Sequence, residues 1–200
     1  SSFLMVDTCA GEFEAKTPYF YSTYSDPKSE YKIGKSIVIL GSGPIRIGQG
    51  IEFDYSTVHG VQAVRKAGYE AVVVNNNPET VSTDFDASDR LYFEPLDAES
   101  IFEILDVEKP YGLILQLGGQ TAVNLASDVE AYIQKEKLKT RILGTKVRDM
   151  DAAEDRGKCG ELMRKAGIKM PKWAIAKSSD EVITRAEEIG FPVLVRPSFV

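Results

Sequence analysis

Residues 36–50 read Ser-Ile-Val-Ile-Leu-Gly-Ser-Gly-Pro-Ile-Arg-Ile-Gly-Gln-Gly, and the fold turns on how this stretch is read. An apolar run of strand length, Ile37–Leu40, breaks into a glycine-rich turn, the usual opening of a strand–turn–helix unit in α/β proteins. The spacing departs from the dinucleotide fingerprint. Gly41 and Gly43 supply its first two glycines, but Arg46 stands where the third would let a helix pack on its strand. No Gly-Lys-Ser/Thr follows at the interval of a phosphate loop either. Two readings stay open from these residues. The turn either offers backbone N–H groups to an anion or is a tight connection that needs small residues.

Working outward, strands and helices alternate. A helix is expected from about Asp54 to Ala67, with Val58, Val61 and Val64 on one side and Gly68 as its stop. Ala71–Val74 reads as the next strand, closed by the turn Asn75-Asn76-Asn77-Pro78. Asp97 caps a helix carrying Ile101, Ile104 and Leu105 that ends before Pro110. Leu113–Leu115 reads as a third strand, and Thr121 as the cap of a helix bearing Leu125, Val129, Tyr132 and Ile133. Arg141–Leu143 is a short fourth strand. This order predicts an α/β fold with a Rossmann-like, doubly wound parallel sheet over residues 36–150. Loops 41–50, 75–80 and 116–121 then gather beyond the carboxyl ends of the strands, where such sheets bind ligands. Past Gly144 the pattern changes. Cys159, Leu162, Met163 and Ala166 form one helical stripe. Trp173–Ala176 and Pro192–Arg196 read as strands around a helix with Val182, Ile183, Ala186 and Ile189. Residues 151–200 therefore read as the start of a second domain. Residues 1–35 have no clean period and read as a connector whose tyrosines pack on a neighbour.

Composition narrows the function classes. The chain of 200 residues carries 24 basic and 30 acidic side chains, a net charge of -6, with no basic run. Sequence-independent nucleic-acid binding is disfavoured by that balance. No apolar stretch approaches the length of a membrane span, and the N-terminus lacks the layout of a signal peptide. Cys9 and Cys159 lie far apart without metal-ligand spacing, which fits reduced cysteines in a cytoplasmic protein. The opening without methionine and the close on FPVLVRPSFV read as a fragment of a longer polypeptide.

The three loops are unusually polar, though Asn, Thr and Gln side chains bind their own backbone readily. His59 is the sole histidine and has no partner in sequence, so it reads as structural. Lys158 and Lys165 read as solvated helix charges. Taken together, GSGPIRIGQGIEFDYSTVHG, NNNPETVSTDFDASDRLYFEP, GGQTAVNLA, AEDR and FPVLVRPSFV resemble the large chain of carbamoyl-phosphate synthase, in that family's order. The preceding VDTCAGEFEAKTPYFYSTY is similar to the connector between its two halves. The resemblance covers nearly the whole sequence and points to the second half, which phosphorylates carbamate.

That resemblance implies a pre-ATP-grasp domain over 36–150 and the start of an ATP-grasp domain over 151–200. In this family the glycine turn shapes a domain edge and holds no dinucleotide. Arg156 and Arg196 match nucleotide ligands. An arginine directly after Val193-Leu194-Val195 is costly to bury without an anion, which agrees with a phosphate partner. Glu52 and Glu79 match positions lining the passage that carries carbamate between halves. ATP is the implied cofactor, with Mg²⁺ or Mn²⁺ held by side chains past Val200, so no metal ligand and no catalytic residue is assigned here. The implied partners are a glutamine amidotransferase subunit or fused domain and the other half of the large chain; homo-oligomerisation stays open. The 200 residues alone are expected to be inactive, since the phosphate-covering loop would lie further on. Residues 132–139 look longer than the corresponding link in relatives and read as surface variation. Another ATP-grasp ligase, such as a biotin carboxylase or a purine-pathway carboxylase, is one alternative, and a non-catalytic binding module is the other. The choice between pyrimidine and arginine synthesis is not encoded in these motifs.

Overall fold

The computed structural model describes residues 2–7, 12, 16–24, 35–47 and 49–196. The chain divides into two compact units, Ser1–Val147 and Arg148–Val200. The first unit is built on a seven-stranded sheet. In chain order its elements are β1 (Ser2–Asp7), β2 (Lys16–Thr23), β3 (Ser36–Leu40), α1 (Glu52–Lys66), β4 (Glu70–Val74), a 3₁₀ turn (Val81–Thr83), β5 (Arg90–Tyr92), α2 (Ala98–Glu108), β6 (Gly112–Ile114), α3 (Gly119–Asn124), α4 (Ala126–Lys135) and β7 (Arg141–Leu143). The strands lie in the order β1-β2-β5-β4-β3-β6-β7. All neighbours are parallel except β1 and β2.

The apolar runs of β3 and β4 follow from burial on both faces of a parallel sheet. The strands pair in register from Ser36 opposite Glu70 to Leu40 opposite Val74. Alternation sends Ile37, Ile39, Ala71 and Val73 to one face, where they pack with Val61 and Val64 of α1 and with Leu91. Val38, Leu40, Val72 and Val74 point to the other face and are just as buried. The right-handed crossover from β5 to β6 places α2 over that second face. There α2 packs on α4, with Phe102 and Tyr132 stacked at 4.0 Å between centroids. Asp97 caps α2 by accepting from the Ser100 N–H at 2.9 Å, as its position in the sequence predicts. Between β3 and β6 the connections run off in opposite directions, so the topological switch point lies at their carboxyl ends.

Three features of the first unit differ from the sequence expectation. The first is the N-terminal segment, read as a connector without period. It contributes β1 and β2, joined to the sheet edge through β5 by Tyr19 opposite Leu91 and Phe20 opposite Tyr92. Phenylalanines, rather than tyrosines, form its deepest contacts. Phe3 meets Tyr92 edge-on at 5.0 Å and Phe20 stacks on it at 5.4 Å, while Tyr21 and Tyr24 are exposed. The expectations for Cys9 and Tyr31 fall outside the described residues. The second difference is β5, a three-residue strand too short to register as a period. The third is Thr121, which lies inside α3 and caps nothing. The expected single helix is broken at Leu125 into α3 and α4.

In the second unit, helix α5 (Val147–Glu154) spans the boundary and is followed by α6 (Arg156–Lys165) and α7 (Ser179–Ile189). Asp155 caps α6, accepting from the Lys158 N–H at 2.9 Å, and Ser178 caps α7 by accepting from the Glu181 N–H at 3.3 Å. Residues 173–176 and 192–196, read as strands, form no ladder among the described residues. A strand exists only when a neighbour takes up its backbone N–H and C=O groups, and no described segment does so here. No described helix is long and apolar enough to cross a membrane.

Candidate functional site

The glycine turn after β3 is held from within. The Gly41 N–H donates to the Val74 carbonyl at 2.9 Å, and the Gly43 N–H donates to Asn75 Oδ1 at 3.0 Å. Gly43 adopts φ +69°, the left-handed region that glycine tolerates. Gly118 presses on the turn so closely that a Cβ there would lie 2.2 Å from the Gly41 carbonyl oxygen. Helix α1 starts only at Glu52, so its N-terminus does not follow directly on the turn. The Gly41 and Gly43 N–H groups are thus committed to the protein itself. Of the two readings left open by the spacing, these contacts favour a tight connection.

The second loop is equally self-bound. Asn75 has no exposed surface, and its Nδ2 donates to Ser82 Oγ at 3.1 Å. The Ser82 N–H donates to both carboxylate oxygens of the buried Asp54, each at 3.3 Å. Thr83 Oγ1 donates to the carbonyls of Asn77 and Thr80, both at 2.8 Å. The Glu79 N–H donates to Asn77 Oδ1 at 3.0 Å, an Asx turn. Two buried acceptors on this edge, Asn76 Oδ1 and Gln116 Oε1, have no hydrogen-bond partner.

The residues expected on the passage both come to this edge, and both are exposed. Glu52 stands in the first turn of α1, and its Oε1 accepts from the Gly50 N–H at 3.2 Å. Glu79 projects from the 75–83 loop. Arg46 is exposed on the glycine turn. The rings of His59 and Tyr55 meet at a tilt, 4.3 Å between centroids, and both residues are exposed. The sequence places Asn75, Asp54 and Ser82 in or beside the polar loops but assigns them no roles, because those roles depend on three segments meeting.

In the second unit, Arg156 and Arg196 line one cavity of about 430 Å³. Its wall is mostly apolar, including Trp173, Ile175, Val193 and Val195, and it also carries Arg185 and Cys159. Trp173 lies so close to α6 that a Cβ at Gly160 would be 2.3 Å from its ring. Arg185 is spoken for by Glu188 at 2.7 Å. Neither Arg156 nor Arg196 has an ion pair among the described residues, and Lys158 reaches Asp155 only at 4.0 Å. An apolar wall beside two uncommitted guanidinium groups can take a planar base and phosphate oxygens together. No group of three or more His, Cys, Asp and Glu among the described residues is placed to hold a metal ion.

Comparison with known proteins agrees with this layout. Residues 33–152 match the carbamoyl phosphate synthase preATP-grasp domain, and residues 155–200 match the carbamoyl-phosphate synthase L chain ATP binding domain. Among solved structures, the biotin carboxylase domain of Hydrogenobacter thermophilus 2-oxoglutarate carboxylase, in complex with MgADP, ADP and bicarbonate, is similar at TM-score 0.55 and 21% identity. That match covers 81% of this chain and 34% of the other. N5-carboxyaminoimidazole ribonucleotide synthetase from Thermus thermophilus follows at TM-score 0.54 and 14% identity, covering 78% and 37%. At these identities the likeness is one of fold, and this chain spans about a third of the length of those two relatives. With the first family model covering more than half of the sequence and the second following it in order, the chain belongs to the carbamoyl phosphate synthase large-chain family.

Proposed function

We propose that the parent polypeptide is an ATP-dependent ligase that makes carbamoyl phosphate from bicarbonate, ammonia and ATP, and that these residues serve the half that phosphorylates carbamate. One observation carries the reading: Arg156 and Arg196, far apart in sequence, line a single cavity in the segment matched to the ATP-binding domain. ATP, when bound, supplies the phosphoryl group. Arg156 and Arg196 would hold its phosphate oxygens as fixed cationic donors, and the wall of Trp173, Ile175 and Val193 would shelter its apolar portion. Metal ions would be held by residues beyond this sequence. Glu52 and Glu79 would line the route by which carbamate arrives, keeping an unstable intermediate among fixed polar groups. Ammonia would come from a glutamine amidotransferase subunit or fused domain, and the protein would work in the cytoplasm. Supply of pyrimidine or of arginine synthesis fits the reading equally.

The test uses the full-length parent enzyme. Arg196→Ala should weaken ATP formation from carbamoyl phosphate and ADP by about ten- to a hundredfold in kcat/KM, the size of one lost charged hydrogen bond. The bicarbonate-dependent ATPase of the other half should persist. Equal loss of both reactions, or no loss in either, would count against the reading.

A further inference from the structure

At the carboxyl edge of the first unit, one buried amide joins the segments that carry the exposed charges. Asn75 accepts from the Gly43 N–H on the glycine turn and donates to Ser82 Oγ in the next loop. Ser82 in turn is fixed by the carboxylate of Asp54 on α1. Gly41 lies so close that a Cβ there would sit 2.6 Å from Asn75 Cγ. The three segments joined in this way carry Arg46, Glu79 and Glu52, all exposed at the same edge. A short side chain with one acceptor and one donor splayed from a single carbon suits this junction. An N–H points at it from one side and a hydroxyl from the other.

We infer that Asn75 is the positioning residue of this edge, setting the separation of Arg46, Glu52 and Glu79 by tying the glycine turn to the 75–83 loop. Its functional consequence rests on the proposed carbamate passage; the positioning itself does not. Asn75→Leu keeps the shape and deletes both hydrogen bonds. Asn75→Asp keeps the acceptor for Gly43 and lets the Ser82 hydroxyl turn to donate.

Amide hydrogen exchange on the 200-residue chain reads the positioning directly. In Asn75→Leu the Gly43 amide should exchange about tenfold faster or more, the loss expected when a buried hydrogen bond is removed. Ile39 and Val73 in the core should keep their protection, and Asn75→Asp should restore Gly43. Unchanged Gly43 exchange in Asn75→Leu would overturn the inference. Should that variant fail to fold, Ser82→Ala substitutes for it. The amides of residues 82 and 83 should then exchange faster while Gly43 stays protected, and no change at either would equally overturn it. In the full-length parent, with the fold checked by circular dichroism, Asn75→Leu should raise the ATP hydrolysed per carbamoyl phosphate formed, and Asn75→Asp should restore the ratio. Fast Gly43 exchange with an unchanged ratio would uphold the positioning and sink the passage reading.

Discussion

Glu108 has no exposed surface, yet it ends α2 as an ionisable residue. The cost of burying it is met by four donors. Arg90 gives two bonds, at 2.8 and 3.0 Å, Tyr92 OH one at 2.7 Å, and Ser36 Oγ one at 3.1 Å. Burial works against the charge on Arg90, but its bonds to Glu108 and Glu70 outweigh that, so the guanidinium is held above its ordinary range. The cluster ties the ends of β3, β5 and α2 together. Removing one partner of a buried pair strands the other, typically at about 3–5 kcal/mol. Glu108→Ala should therefore lower the stability of the first unit to urea by that amount, and Glu108→Gln should recover part of it. A variant as stable as the parent would show that the cluster is not a structural tie.

At the scale of elements, one aromatic pair and one hydrogen bond help join α2 to α4. Tyr132 stacks on Phe102 and its hydroxyl donates to Asp106 Oδ2 at 2.7 Å. Burial and that bond push the Tyr132 phenol up to about 12, from an ordinary value of 10. A raised folded-state value means that the protonated form is favoured by folding. Its contribution is complete below pH 10 and is lost as pH rises through about 12. Tyr132→Phe keeps the stack and deletes the bond. It should cost about 1 kcal/mol at neutral pH and flatten the alkaline decline in stability, measured as urea midpoint against pH. An unchanged decline would assign the alkaline sensitivity elsewhere. The pair also gives the long 132–139 stretch an anchor at its first residue.

Across the whole molecule the two units differ in how much they bury. The first has a core of strands with several side chains wholly out of solvent, whereas the buried described residues past Arg148 are Met150, Gly160 and Ala186. Leu162, Ile175, Ile183, Phe191 and Leu194 are exposed there. Apolar burial is the main favourable term in folding, so stability should be unequal. Hydrogen exchange should find α6 and α7 exchanging well before β3 and β4, and protease should cut residues 148–196 first. Unfolding followed by Trp173, the single tryptophan, should precede unfolding followed by circular dichroism of the sheet. Coincident transitions would mean that the two units fold as one.

Much of this was legible in the sequence because it depends on local chemistry. The apolar runs of β3 and β4, the helical stripe ending at Gly68, and the cap Asp97 are written in neighbouring residues. The family motifs marked Arg156, Arg196, Glu52 and Glu79 individually. Tertiary structure decided what local chemistry cannot. The N-terminal strands and β5 exist because partner strands accept their hydrogen bonds, and residues 173–176 and 192–196 form no ladder because no described strand does so for them. The glycine turn is held as a tight connection because Asn75, thirty-two residues downstream of Gly43, takes one of its donors and Gly118 packs directly against it. Spacing could show that Arg46 breaks the fingerprint. Only the meeting of three distant segments could show what the turn binds instead: the rest of its own fold.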